Sequence, residues 1–129
     1  MQVMNSAAEL ISVFTRADAL SDGILSDVSK IAEEEGFKVP VALTLAAYRS
    51  IEPSEEERSN GDDLRARLHD LFWTMHQALR RKSYIEASRI DFQLNLFQDG
   101  EHSSLALRAL LHPGDRGEPV ITILLPNED

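Results

Sequence analysis

The chain has 129 residues, enough for one domain that buries about two thirds of the surface of its unfolded chain. The absence of cysteine excludes disulfides, thiolate metal ligands and thiol nucleophiles, and we expect a reducing compartment, the cytoplasm. The formal net charge is −9, and residues 1–63 carry 13 acidic against 5 basic side chains. This charge disfavours direct binding to nucleic acid or to an anionic membrane, and it leaves either a protein partner with a basic surface or plain solubility as its explanation.

The N-terminal segment has no predicted signal peptide or membrane span, because no cationic stretch precedes its apolar residues and no apolar run approaches ~20 residues. Residues 5–14 fit two different structures. Ser6 and Glu9 have the spacing of a helix capping box, whereas residues 10–14 fit a short strand. Both alternatives stay open at this point.

Two short helices are predicted next. The first covers residues 16–22, with Thr15 as its N-cap and Gly23 where a left-handed residue ends a helix. The second begins after a cap at Ser26 or Asp27 and ends at the next glycine.

A third helix is predicted over residues 41–51, because Pro40 favours an extended segment just before it and is itself a good residue at a helix start. The acidic segment 52–63 that follows combines proline, serine, asparagine and glycine, which is typical of a solvated loop.

One long central helix is predicted over residues 62–82. Apolar side chains recur along it with helical spacing and form one stripe, namely Leu64, Leu68, Leu71, Phe72, Met75, Ala78 and Leu79. Trp73, the only tryptophan, projects to the opposite face together with His69, His76 and Arg80. We expect the N-terminal helices to cover Trp73; if they leave it exposed, this face is the candidate binding surface, and its apolar patch would favour a homo-oligomer.

The period of apolar residues changes to two over residues 89–98, which is typical of a strand with one buried face. Asp99 and Gly100 predict a two-residue hairpin turn. Counting back from this turn pairs apolar residues with apolar residues and places Asp91 opposite Arg108.

A third C-terminal strand is predicted over residues 120–125 and ends at Pro126. Because both of its faces are apolar, we expect either that residues 10–14 pair beside it or that helices cover both faces. The predicted fold is α+β and comprises one domain, residues 1–129. Its three-stranded, or with residues 10–14 four-stranded, antiparallel sheet packs on the long helix with short N-terminal helices beside it.

No metal site or cofactor is predicted. His69 and His76 lie on the same side of the central helix, but seven residues separate them by about 10 Å along its axis, so they cannot share one metal ion. The motifs GxSxG, SxxK, GxxxxGK[ST] and GxGxxG are all absent.

Asp18, Asp22 and Asp27 cluster in sequence close to Arg16, and Asp18 and Asp22 share one helix face. Such residues are weak candidates for acid–base catalysis or cation binding. Solvated helix ends require the same residue types, so the pattern also fits a purely structural role.

Three stretches resemble a family of small uncharacterised bacterial proteins found on plasmids, phages and other mobile elements: FTRADALSDGILSDVS at 14–29, FKVPVALT at 37–44 and PGDRGEPVITILLPNED at 113–129. The chain departs from the family's pattern at Phe14, where tyrosine is usual, and at Ser26, where a β-branched residue is usual. The resemblance implies a mobile-element origin and an unknown function, and it assigns no catalytic residue.

Two hypotheses about function follow. The first is a non-catalytic accessory or inhibitor protein that presents its acidic N-terminal half to a basic surface of a host protein, with nucleic-acid mimicry as its sharpest form. The alternative is a small enzyme with a carboxylate and arginine site near residues 16–27, together with the loop 113–118.

Overall fold

The computed structural model describes residues 15–59, 63–81, 88–98 and 100–129. The helices and strands in chain order are α1 (Arg16–Ser21), β1 (Leu25–Asp27), α2 (Ser29–Glu34), β2 (Val41–Thr44), α3 (Leu45–Ile51), α4 (Glu55–Ser59), α5 (Leu64–Arg80), β3 (Arg89–Gln98), β4 (Glu101–Pro113), β5 (Pro119–Leu124) and a 3-10 helix (Pro126–Glu128). Within the described ranges, no helix is long and apolar enough to cross a membrane.

Five strands form one mixed sheet in the order β1-β2-β5-β4-β3. β2 and β5 run parallel, and the other neighbours run antiparallel. The α+β fold class is confirmed. The predicted sheet of three or four antiparallel strands is wrong, because β1 and β2 from the N-terminal half complete a five-stranded mixed sheet.

Residues 41–44, predicted as the start of a helix, form the strand β2. All four side chains are buried, and a strand covered on both faces shows an apolar run without the period of two. This run therefore resembled a buried helix. α3 begins only at Leu45, where the Thr44 hydroxyl accepts a hydrogen bond of 3.2 Å from the backbone N–H of Ala47.

The first predicted helix is confirmed as α1, with Thr15 as its N-cap and Gly23 at a φ of +78°. The second prediction is partly wrong, because Ser26 and Asp27 belong to β1 and α2 begins two residues later. Asp27 still supports the helix start, since its Oδ1 accepts a hydrogen bond of 3.0 Å from the backbone N–H of Ser29.

The predicted solvated loop 52–63 is also partly wrong, because α4 lies within it. Ser54 and Glu57 form a reciprocal capping box: the Ser54 N–H donates to Glu57 Oε1 at 3.0 Å, and the Glu57 N–H donates to Ser54 Oγ at 3.2 Å. This local pairing starts a helix in a segment with no apolar period.

The predicted hairpin is confirmed in its register. β3 and β4 pair without a bulge over ten residues, and Asp91 lies opposite Arg108. The Arg108 Nε–H donates to Asp91 Oδ1 at 2.7 Å. Gly100 has a φ of +80°, as the predicted turn requires; Asp99, the other turn residue, lies outside the described residues.

β5 is buried on both faces because it is an inner strand, flanked by β2 and β4, with helices over the sheet. On one face α2, α3 and α5 enclose the main core, in which Phe72, Leu71 and Ile123 are fully buried. On the other face α1 covers a small apolar cluster of Ala19, Leu25 and Ala42. Of the two alternatives for β5, helices over both faces is the one confirmed, because β2 and β4 occupy both of its edges; residues 10–14 themselves lie outside the described residues.

α5 confirms the predicted long helix and its buried stripe. The Asp63 side chain accepts a hydrogen bond of 2.7 Å from the Ala66 N–H and so caps its start. Leu68, Leu71, Phe72 and Met75 face the sheet and are buried. The helix therefore fixes which of its residues point away from the sheet.

Candidate functional site

Trp73 is exposed, with 61% of its surface accessible, so the predicted burial of this residue is wrong. The physical reason is the position of the N-terminal helices. α2 packs beside α5 rather than over it, and α1 lies on the opposite face of the sheet. Thus none of the described helices covers the face that carries Trp73.

The outward face of α5 forms a stripe with a spacing of three or four residues, which we call the Trp73 stripe: Ala66, Asp70, Trp73, Gln77 and Arg80. All of these residues are exposed except Gln77, which is half-buried. Of the four predicted binding residues, Trp73 and Arg80 lie in the stripe, while His69 and His76 lie along its border with α2.

The two histidines hold α2 against α5. His69 Nδ1 lies 2.5 Å from Glu35 Oε1, and its Nε2 lies 3.5 Å from Glu34 Oε2. His76 Nε2 donates to the backbone carbonyl of Glu35 at 2.5 Å, and its ring stacks on Phe37 with centroids 4.3 Å apart. These contacts position the acidic end of α2 beside the stripe.

Gly36 forms the turn that ends α2 beside α5. Its φ is +94°, which a residue with a Cβ rarely adopts, although a Cβ there would make only an ordinary contact, 3.8 Å from His76 Nε2. α2 therefore ends directly against α5, and at this border Arg65 of α5 donates to both carboxylate oxygens of Glu34, at 2.8 and 2.7 Å.

A pocket of about 450 Å³ lies on the other flank of His76, between α5, the loop 36–39 and the end of the sheet. Most of its described lining is apolar, including Phe37, Leu79 and Leu111, and Lys38 is the one charged residue among the described residues that line it. The pocket is therefore suited to an apolar group.

A second polar cluster lies under α1. Arg16 is 8% exposed, and its guanidinium donates to Thr122 Oγ1 at 2.8 Å and to the Ile121 carbonyl at 2.9 Å. The Asp115 carboxylate accepts from the backbone N–H groups of Arg16 and Ala17 at 2.6 and 3.0 Å. These two hydrogen bonds lower the pKa of Asp115. Arg16 and the loop 113–118 thus come together, as the enzyme hypothesis requires.

His112 extends this cluster. Its Nδ1 lies 3.0 Å from the carbonyl of Pro113, which can only accept, so Nδ1 carries the proton. Its Nε2 then accepts from the Thr122 hydroxyl at 2.7 Å. Burial lowers the pKa of His112, and the charge of Arg16 lowers it further. The hydrogen bonds run in one direction, from Arg16 through Thr122 to His112.

The predicted carboxylates do not share this hydrogen-bonded cluster. Asp18, Asp22 and Asp27 are all exposed, and the guanidinium of Arg16 donates to Thr122 rather than to any of them. Asp27 acts on Arg16 through its charge, which opposes the lowering of the Arg16 pKa by burial. In the part of the chain that the structure describes, no three His, Asp or Glu side chains come together as metal ligands.

Three polar residues of structural importance were missed from the sequence. Thr122 and His112 lie in or beside strands, and their pairing with Arg16 depends on tertiary structure. Arg67 is 4% exposed and donates to the Ile51 carbonyl at 2.8 Å and to Glu57 Oε2 at 2.6 Å. In the sequence, the burial of Arg67 was indicated only by its position beside Leu68, within the apolar stripe of α5.

The fold, the Trp73 stripe and the hydrogen-bonded cluster around Arg16 define a small α+β protein with an exposed helix face and a buried arginine network. The chain belongs to the family of unknown function DUF6573, whose model matches residues 1–129. This confirms the expected resemblance to a family of unknown function, and the mobile-element setting stays a prediction. No curated protein and no solved structure matches the chain.

Proposed function

We propose that this protein is a non-catalytic interaction protein that binds a basic segment of a partner protein through the Trp73 stripe. The observation that carries the proposal is the exposure of Trp73, at 61%, in the middle of α5. Tryptophan contributes large contact area at little cost in conformational entropy and is enriched among residues that dominate binding.

The charges around Trp73 support a basic partner. Asp70 lies in the stripe, and the carboxylates of Glu34 and Glu35 lie along the border formed by α2, where Glu34 is paired with Arg65 and Glu35 contacts His69. Arg80 lies at the C-terminal end of the helix. A partner that carries both a basic and an acidic group would therefore bind in one direction along the stripe. Acidic groups around an apolar anchor favour a partner that presents Lys or Arg beside an apolar side chain.

The proposed setting is the cytoplasm of a bacterium, with the protein acting as an accessory factor of a mobile element. The three stretches quoted from the sequence support this setting, and the absence of cysteine fits a reducing compartment. In this setting the acidic surface would inhibit a host protein by occupying its basic nucleic-acid-binding surface.

Capture from a bacterial extract tests the proposal. Wild-type protein, Trp73→Ala and the control Leu45→Ala are used as baits, since Leu45 is an exposed apolar residue on another helix. We expect one protein that wild type and Leu45→Ala retain and Trp73→Ala loses. Binding of that purified protein should also shift the fluorescence of Trp73, the only tryptophan of this chain, to the blue once the partner's own emission is subtracted.

The electrostatic part is tested separately with the purified partner. Asp70→Lys should weaken binding, and raising salt to ~0.5 M should weaken wild-type binding because the surface charges are screened. Binding that salt and Asp70→Lys leave unchanged would refute the role of charge. Equal binding by Trp73→Ala would refute the proposed surface itself.

A further inference from the structure

The sheet has one long strand edge that no described strand pairs with. β3 is the last strand in the order, covers ten residues and pairs with β4 along its full length. The edge strand at the other end, β1, has only three residues. β3 contains no proline, lysine or bulge, three of the features that keep an edge strand from pairing with another chain, and its charged residues are Arg89 and Asp91.

The backbone groups that face this open edge belong to the odd-numbered residues of β3. The Leu111 N–H donates to the Ser88 carbonyl at 2.8 Å, so these two residues form a hydrogen-bonded pair. In an antiparallel ladder such pairs recur at every second residue. Even-numbered residues of β3 therefore bond to β4, and the N–H and C=O groups of Arg89, Asp91, Gln93 and Asn95 point outward.

The open edge ends before Phe97. The guanidinium of Arg67, on α5, donates to the Phe97 carbonyl at 3.3 Å and so occupies this outward backbone group. A strand added at the edge thus has residues 89–95 to pair with. A two-fold axis at the middle of this segment passes beside Phe92.

We infer that two copies of the chain pair through residues 89–95 of β3, antiparallel about this axis, to form one continuous ten-stranded sheet. The register is self-complementary. Asp91 lies opposite Gln93 of the second copy, Arg89 lies opposite Asn95, and Phe92 lies opposite itself. No like charges face one another, and all four outward residues form hydrogen-bonded pairs, as their orientation requires.

The inference is independent of the Trp73 stripe, because the contacts lie on the strand edge. The two α5 helices would cover the same face of the joined sheet, and Trp73 would still point away from each sheet. Loss of the strand contact therefore does not predict loss of binding to a partner at the stripe, and the two proposals fail separately.

Opposite charge changes at one position give a matched test. Gln93→Glu places a carboxylate opposite Asp91 of the second copy, whereas Gln93→Lys places an ammonium there. Ala106→Glu is the control, since Ala106 is exposed and pairs with Gln93 one strand further in. The mass in solution is measured by light scattering over about a hundredfold range of protein concentration.

We expect twice the chain mass of 14.4 kDa for wild type, Gln93→Lys and Ala106→Glu, and the single chain mass for Gln93→Glu. A monomeric wild type over the whole range overturns the inference. A dimer that Gln93→Glu leaves intact overturns it as well.

Cysteine pairs test the register on a chain that has no cysteine of its own. In the inferred dimer the Cα atoms of residue 91 and residue 93 of the second copy are about 5.5 Å apart, within the range for a disulfide. Oxidation of a mixture of Asp91→Cys and Gln93→Cys chains should give covalent dimers, and each variant alone should give few. Cross-linking by each variant alone, or none in the mixture, contradicts the register.

Discussion

The two faces of the sheet are held by different kinds of interaction. Under α5 the contacts are apolar and large, and Phe72, Leu71 and Ile123 are fully buried. Under α1 the described apolar cluster is smaller, with Ala19, Leu25 and Ala42 buried and Leu20 and Ile24 packed against them. The guanidinium of Arg16 adds hydrogen bonds to β5, and the carboxylate of Asp115 accepts from the start of α1.

This difference predicts different weaknesses. Apolar packing has no preferred direction and responds mainly to changes in volume. A buried polar network depends on every donor and acceptor, and a half-satisfied network costs more than none. The α5 face should therefore be sensitive to truncation, and the α1 face to changes of charge and protonation.

The largest effect should come from truncation on the α5 face. Phe72→Ala removes a fully buried ring from the centre of the main core and should lower the free energy of unfolding by about 3–5 kcal/mol. Chemical denaturation measures this change. Trp73→Ala, the adjacent residue, should change the free energy by less than about 0.5 kcal/mol because its ring is exposed. A similar loss for both variants would mean that Trp73 is covered in solution.

The next effect should come from the arginine network on the α1 face. Arg16→Met keeps the length of the side chain but leaves Thr122 Oγ1 and the Ile121 carbonyl without their donor. We expect the free energy of unfolding to fall by roughly 1–3 kcal/mol. Arg116→Met is the control, since Arg116 is exposed on the adjoining loop, and denaturation should not distinguish it from wild type. An unchanged Arg16→Met would show that the network adds no net stability.

The same network should make stability depend on pH. The pKa of His112 is lowered by burial, so the folded protein disfavours its charged form relative to the unfolded chain. The unfolded chain therefore binds the proton first, and this contribution to stability is present above the unfolded pKa of about 6.5 and is lost as pH falls below it. His112→Gln, which keeps an acceptor but cannot titrate, should flatten the fall in unfolding free energy with decreasing pH.

His102→Gln is the matched control for this prediction, because His102 is exposed on the same strand. Unfolding free energies from pH 7 down to about pH 5 should show a smaller slope for His112→Gln and the wild-type slope for His102→Gln. Equal slopes for all three proteins would mean that His112 titrates alike in the folded and unfolded states.

Features that depend on neighbouring residues in the chain were predictable from the sequence. The hairpin follows from a period of two and a turn, so even the pair formed by Asp91 and Arg108 was assigned correctly. α5 follows from a helical period over four turns, with Asp63 at its start. These signals need no knowledge of distant contacts.

Features that depend on distant contacts were not predictable in this way. β2 pairs with β5 from the other end of the chain, and its burial on both faces removes the pattern that marks a strand. Trp73 was expected to be covered by the three short N-terminal helices. The positions of these helices are set by β1 and β2, which the sequence did not indicate, and so the prediction was wrong. The part of the site that the sequence did indicate is the set of residues on the outer face of α5.

The smallest effect should come from the ion pair on the outer face of the hairpin. Arg108 donates to the carboxylate of Asp91, whereas Arg16 donates to uncharged oxygens under α1, and the Asp91 side chain is 48% exposed. Water and salt screen such a pair, so a double-mutant cycle with Asp91→Asn and Arg108→Gln should give a coupling of only about 0.2–1 kcal/mol. The coupling should shrink in ~1 M salt. Arg108 lowers the pKa of Asp91. The coupling between the two side chains should therefore also disappear as pH falls below about 3.9 and the carboxylate takes up a proton. A coupling as large as the loss in Arg16→Met would remove the distinction between the exposed and the buried arginine.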